Sequence, residues 1–241
     1  YFRHLQQELG LKGVPSSALE RRLKNLGPQQ FRQYAQQYLS ELNTVDRRAD
    51  RVTDKMPHNF EMLWLMSLLF PNATFIHCIR SPADTCVSLL SHSLSPAHNY
   101  CLSQETLGRY FLTYSRLMEH WEKVLPVNLY HLSYETLVHN QERESRLLLE
   151  RTGMDWEDAC LEFYNGDSPV TTFSNLQVRK PMFSSSIGRW KRHRDLLGDL
   201  FRALGPLSPI ASVKVETGSE TDGPLTVVGK ATSPMKDARF Q

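Results

Sequence analysis

An arginine leaves the end of a strongly β-like run, and a hydroxyl follows it eight residues later. The run is Thr74-Phe75-Ile76-His77-Cys78-Ile79, the arginine is Arg80 and the hydroxyl is that of Ser88. In an open parallel sheet, ligands gather beyond the carboxyl ends of the strands, where Arg80 emerges. A helix beginning at about Pro82, a residue suited to a first turn, carries Ser88 back toward the same place. A guanidinium and a hydroxyl together can grip a phosphate monoester. The competing role for Arg80 is a pairing with a neighbouring carboxylate.

Three further features point to the same kind of ligand. Lys55 follows Asp54 at the end of another short β-like run, Arg51-Val52-Thr53. There it would face the same crevice and could neutralise charge on a bridging oxygen as a leaving group departs; a surface pairing with Asp54 is the alternative. Tyr134 stands directly after a third run, Val127-Asn128-Leu129-Tyr130-His131-Leu132, and could offer a nucleotide its ring face or its hydroxyl, or simply pack in the core. Last comes a basic stretch. Between Arg179 and Arg194 there are six Lys or Arg residues and no acid, which fits a lid over an anion as well as it fits a solvated face.

These residues need a scaffold, and hydrophobic spacing supplies one. Residues 1–50 read as polar helices, with starts at Pro15-Ser16-Ser17 and at Gly27-Pro28. The stripe Phe31, Tyr34, Ala35, Tyr38, Leu39 and Leu42 recurs at helical spacing and is expected to pack on a sheet. Asn59 to Leu69, Pro82 to Ser91 and a long segment carrying Tyr110 to Trp121 read as further helices, as do shorter stretches from Tyr134 to Tyr164 and from Ser186 to Leu204. Strands separated by helices of crossover length imply an α/β fold with a buried parallel sheet flanked by helices. Three strands are few for such a sheet. The chain opens at Tyr1 rather than Met, and a further strand upstream is expected. The expected organisation is a helical segment over 1–50, the α/β domain over 51–205 and a disordered tail over 206–241, rich in Ser, Thr, Gly and Pro.

Composition narrows the functional classes. The 241 residues carry 28 Lys and Arg against 26 Asp and Glu, so bulk charge would not hold long nucleic acid. The four cysteines form no C-x-x-C and no zinc-like pairing with histidine; they read as small buried residues, and no metal is expected. The longest apolar run, Met62 to Phe70, is far short of the ~20 residues that span a bilayer.

Taken in order, Asp-Lys-x-Pro (54–57), Phe-Pro-Asn-Ala (70–73), the strand with Arg-x-Pro-x-Asp-x-x-x-Ser (80–88), Tyr-Glu-x-Leu-Val (134–138) and Ser-x-x-Gln-Val-Arg-x-Pro (174–181) resemble the sulfotransferases. The resemblance is to the bacterial-type branch often fused to tetratricopeptide repeats, related to protein-tyrosine sulfotransferases, and it covers roughly Phe31 to Leu204. It implies a P-loop-like fold that binds 3′-phosphoadenosine 5′-phosphosulfate as sulfate donor and transfers the sulfuryl group to a hydroxyl. By the same resemblance Arg80 and Ser88 match the pair that holds the 3′-phosphate, Lys55 the lysine at the transferring group, and Tyr134 a nucleotide contact. Ser174 and Lys180 fall in the loop that covers the nucleotide.

The chain also departs from that pattern. The first strand and its Gly/Pro-Arg-Ser-Gly-Thr-type loop, which cradles the phosphosulfate on backbone N–H groups, are not found; Gly10, Gly13 and Gly27 stand in helical contexts. The carboxylate that acts as general base in the tyrosine enzymes follows that loop and is missing with it. His58, three residues after Lys55, is a candidate substitute, and His92 stands where the tyrosine branch carries another phosphate-binding Arg. The alternative to an enzyme is a non-catalytic nucleotide-binding or interaction protein that keeps the later half of the fold. A nucleotide kinase is disfavoured, since Gly-x-x-x-x-Gly-Lys-Ser/Thr does not occur. Peptide tyrosine, carbohydrate and small alcohols all stay open as acceptors, and residues 93–103 are a candidate acceptor loop. A cytoplasmic setting is favoured, with the Golgi lumen open to a longer chain bearing an anchor.

Overall fold

The structure, a computed structural model, describes residues 1–44, 49, 51–92, 96–166 and 179–210. The amino-terminal helices form at the expected breaks: α1 (Phe2–Glu8), α2 (Ser16–Asn25) and α3 (Pro28–Leu42), the last with proline in its first turn, where the missing N–H costs nothing. The α3 stripe packs on helices rather than on a sheet. Its Tyr38 joins Phe2 and Leu5 of α1 and Met62, Leu65 and Leu69 in one buried cluster, while Leu39 stays exposed. Helix α4 (Leu63–Leu69) explains the difference. Its sequence LWLMSLL is apolar on nearly every side, so it can meet α1 and α3 without a sheet behind them.

Among the described residues the sheet has two strands, β1 (Thr74–Ile79) and β2 (Asn128–Ser133), paired in parallel with Thr74 opposite Asn128 and Ile79 opposite Ser133. The run Arg51-Val52-Thr53 is not a strand; it is exposed and lies outside the ladder. A strand with one paired neighbour is covered less than the continuous apolar run of β1 suggests: Ile76 and Ile79 are 38% and 37% exposed, and Cys78 is exposed too. Of the four cysteines, all of them free thiols, only Cys86 is fully buried, and burial pushes its thiol up to about 12.

The crossover between the strands runs through α5 (Pro82–Leu90) and α6 (Gln104–Val124). Both begin on a serine N-cap: Ser81 Oγ accepts from the Asp84 N–H at 3.4 Å, and Ser103 Oγ from the Thr106 N–H at 3.1 Å. Ala83, Cys86 and Val87 fall on one face of α5 by the three- and four-residue spacing of a helix. They meet Leu107 of α6, Leu197, and Leu200, Phe201 and Leu204 of the last helix, α9 (Gly198–Leu204), in a second core. Between β2 and α9 come α7 (Tyr134–His139) and α8 (Gln141–Thr152), the latter ended by Gly153 at φ +67°, then short 3-10 turns. The helix expected at 156–164 is two such turns; the one expected over 186–204 is a 3-10 stretch, Arg189–Leu196, followed by α9, and another 3-10 turn spans Gly205–Leu207. Residues 211–241 lie outside the described part. No helix among the described residues is long and apolar enough to cross a membrane.

Candidate functional site

Parallel register decides which residues meet beyond the sheet. Since Ile79 faces Ser133, the next residues along, Arg80 and Tyr134, leave the strands side by side. The Arg80 guanidinium carbon sits 5.0 Å from the centroid of the Tyr134 ring, within cation–π range. Each strand runs straight into a helix capped by its own serine. Ser133 Oγ accepts from the Thr136 N–H at 3.2 Å, and Glu135 Oε1 crosses to accept from the Ser81 N–H at 2.8 Å.

The segment before α9 folds back over this pair. Arg80 Nη2 donates to the Ser186 carbonyl at 2.7 Å, and the hydroxyls of Tyr134 and Ser186 are 2.6 Å apart. Arg80 Nε is buried and, among the described residues, has no hydrogen-bond partner. Asp84, 1% exposed, anchors the segment: Oδ2 accepts from the Gly188 N–H at 2.7 Å and Oδ1 from the Trp190 N–H at 3.0 Å. Gly188 makes that turn at φ +70°, a backbone state that other residues rarely adopt. Trp190 then stacks edge-on against Phe201 of α9, tying the segment to the second core.

The structure therefore brings Arg80 and Tyr134 together and adds Asp84, Glu135 and Ser186, to which sequence reasoning gave no role. Asp84 stands inside the Arg-x-Pro-x-Asp pattern, where it reads as an ordinary first-turn acid of a helix, and Ser186 sits in an undistinguished serine run two residues before Gly188. Ser88 is half-buried on α5, one turn after Asp84 and on the same side; its carbonyl accepts from the His92 ring Nδ1 at 2.6 Å, so His92 folds back onto its own helix end. Lys55 and Lys180 are exposed, and Ser174 lies outside the described residues. Among the described residues no hydrogen bond or ion pair joins Lys55 or Ser88 to the Arg80–Tyr134 pair. The Asp54 carboxylate beside Lys55 accepts from the Tyr38 hydroxyl at 2.6 Å.

His58 belongs to a separate aromatic group. Its Nε2 lies 3.2 Å from the Tyr100 hydroxyl, and its ring stacks on His98 at 5.1 Å. Burial lowers its pKa, helped by Arg3 and His98 and opposed by Glu61. A second histidine pair bridges the strands: His77 Nδ1 and His131 Nδ1 are 3.1 Å apart, with the Tyr114 hydroxyl on His77 Nε2 and Glu122 3.3 Å from His131 Nε2. No group of three or more His, Cys, Asp or Glu residues that could hold a metal occurs among the described residues.

Comparison with known proteins bears on the family of the chain. The chain is 35% identical over 173 residues to an uncharacterized protein of Aquifex aeolicus, covering 70% of this chain and 23% of that one. It is 26% identical over 183 residues to the protein-tyrosine sulfotransferase of Drosophila melanogaster, covering 68% of this chain and 34% of the relative. With protein-tyrosine sulfotransferase 1 of Danio rerio the identity is 27% over 160 residues, 59% of this chain and 42% of the relative. The chain thus spans less than half the length of each of these relatives. The model of the Sulfotransferase family matches residues 7–158, which take in α2 to α8 with both strands, Arg80 and Tyr134, and the chain belongs to that family.

Proposed function

We propose that this chain binds 3′-phosphoadenosine 5′-phosphosulfate and supports transfer of its sulfuryl group to a hydroxyl acceptor, with peptide tyrosine the acceptor class that the named relatives suggest. The observation that carries the proposal is Arg80: a buried Nε without a partner, beside an aromatic ring, at the carboxyl end of a parallel strand. A charged, part-buried guanidinium with an unspent donor suits a doubly charged phosphate. Arg80 and Ser88 would hold the 3′-phosphate and Tyr134 the nucleotide. Lys180, together with Ser174, would belong to the covering segment.

In the transfer step a bond forms between the acceptor oxygen and sulfur as the bond from sulfur to the bridging oxygen breaks, releasing adenosine 3′,5′-bisphosphate. Lys55 would neutralise the charge that builds on that bridging oxygen. The acceptor proton goes to a general base. His58 stands three residues from Lys55, and the lowered pKa keeps its ring neutral near pH 7, the form that accepts a proton.

Calorimetric titration of the 241-residue chain with adenosine 3′,5′-bisphosphate tests the binding step. Arg80→Ala should cost about 1.5–3 kcal/mol of that binding; a variant that binds as tightly as its parent removes Arg80 from the site. The exposed Lys55, not joined to Arg80 by any described contact, favours a second reading in which the chain binds the nucleotide without catalysing transfer. Radiolabel transfer from donor to tyrosine peptides, carbohydrates and small alcohols separates the two: binding without transfer to any acceptor supports the second.

A further inference from the structure

We propose that Ser186 is the positioning residue of the phosphate site, through which closure of the 184–190 segment and the shaping of Arg80 and Tyr134 become one event. The inference rests on the nucleotide-binding reading above and goes past it to the residue that sets the geometry. Ser186 is the one described residue that hydrogen-bonds to both members of the pair, its carbonyl accepting from Arg80 and its hydroxyl meeting Tyr134. These contacts reach across 106 and 52 residues of chain, so they form only when the segment is folded back.

The position of Ser186 is not left to the segment itself. The buried Asp84 takes the N–H groups of Gly188 and Trp190, two and four residues further on. A residue so close to two charge-assisted anchors has little freedom to drift. Its carbonyl takes an Nη2 donor, and the buried Nε of the same guanidinium has no partner among the described residues. Its hydroxyl holds that of Tyr134 within the protein, so the ring, which already meets the Arg80 guanidinium, is the part of Tyr134 that we assign to the nucleotide.

A double-mutant cycle on the 241-residue chain tests this, reading the affinity for adenosine 3′,5′-bisphosphate and, in parallel, for adenosine 5′-monophosphate, which lacks the 3′-phosphate. Ser186→Ala and Tyr134→Phe each delete one hydroxyl of the same contact. Each should weaken the bisphosphate by about fivefold, the worth of one ordinary hydrogen bond, and the monophosphate by less than about twofold. The double variant should be no weaker than either single one, because the two changes break the same bond. Ser186→Thr, which keeps the hydroxyl, should restore affinity. Additive losses, equal losses for both nucleotides, or no loss at all would each overturn the role of Ser186. A parent chain that prefers neither nucleotide instead overturns the nucleotide-binding reading, and the inference falls with it.

Discussion

Replacing Asp84 with asparagine tests the anchor of the closing segment without changing side-chain volume. The carboxylate is 1% exposed and accepts two backbone N–H bonds, at 2.7 and 3.0 Å. Asparagine keeps one acceptor oxygen and turns an NH₂ toward the other N–H, so one bond to a charged acceptor is lost and one buried donor is stranded. Together these cost about 2–4 kcal/mol, and loss of a negative charge in the first turn of α5 adds about 0.5 kcal/mol. Urea unfolding of the chain at pH 7 reads the global part. Trypsin reads the local part, since cleavage after Arg189, Lys191 or Arg192 needs the backbone of the anchored segment to open. A local cost of 2 kcal/mol or more should speed cleavage there by roughly 30-fold or more. Asp199→Asn is the matched control: that carboxylate is 67% exposed in its contact with Arg202, and its loss should change stability by no more than about 0.5 kcal/mol. If Asp84→Asn unfolds like the control and is cut no faster than the parent, Asp84 does not anchor the segment.

Other consequences are as open to measurement. Gly108 of α6 packs so closely on α9 that an added Cβ would lie 2.6 Å from the Ala203 Cβ and 3.2 Å from the Leu200 carbonyl; Gly108→Ala should lower stability by about 1–3 kcal/mol in denaturant unfolding despite the better helix propensity of alanine. Burial first, and then the charge of His131, push His77 down to about 4, with Glu122 opposing. Between that value and the ordinary 6.5 the unfolded chain binds a proton that the folded chain refuses, so stability is full above about pH 6.5 and falls as the pH drops toward 4. Partial exposure limits the loss to roughly 1–2 kcal/mol between pH 7.5 and 5, and His77→Gln should flatten the difference; equal slopes for variant and parent would remove His77 as the cause. Leu65, fully buried between α1 and α3, should cost about 2–5 kcal/mol as Leu65→Ala by thermal unfolding.

Local signals in the chain carried the helices and the two strands. Proline at the first turns of α3 and α5 and the β-rich runs at 74–79 and 127–132 are read within a few residues, and the structure places the elements there. The strand expected at 51–53 failed: β-propensity in three residues is a weak signal, and among the described residues the ladder is made by β1 and β2 alone. The burial expected for β1 failed for a related cause: a run of apolar residues says that a strand can be covered, not that its neighbours cover it. Arg80 beside Tyr134 was legible because strand ends in a parallel sheet gather by topology alone. Asp84 and Ser186 were not, since their roles depend on a contact across more than a hundred residues, which no spacing in the sequence encodes.

The anion-binding role proposed for Arg80 depends on how the nearby carboxylates are spent. A guanidinium at a strand end, four residues from one acid and beside the strand that carries another, would ordinarily be neutralised by one of them. Here Asp84 is committed to the N–H groups of Gly188 and Trp190, and Glu135 to the N–H of Ser81. Each carboxylate thus serves a backbone donor that would otherwise be stranded, and among the described residues no ion pair includes Arg80. Among the described residues its one acceptor is a neutral carbonyl, that of Ser186. A neutral acceptor orients the charge without cancelling it, so the positive potential at the end of the sheet survives folding. That is the physical condition for holding a phosphate there, and it follows from where two acids point rather than from the arginine itself.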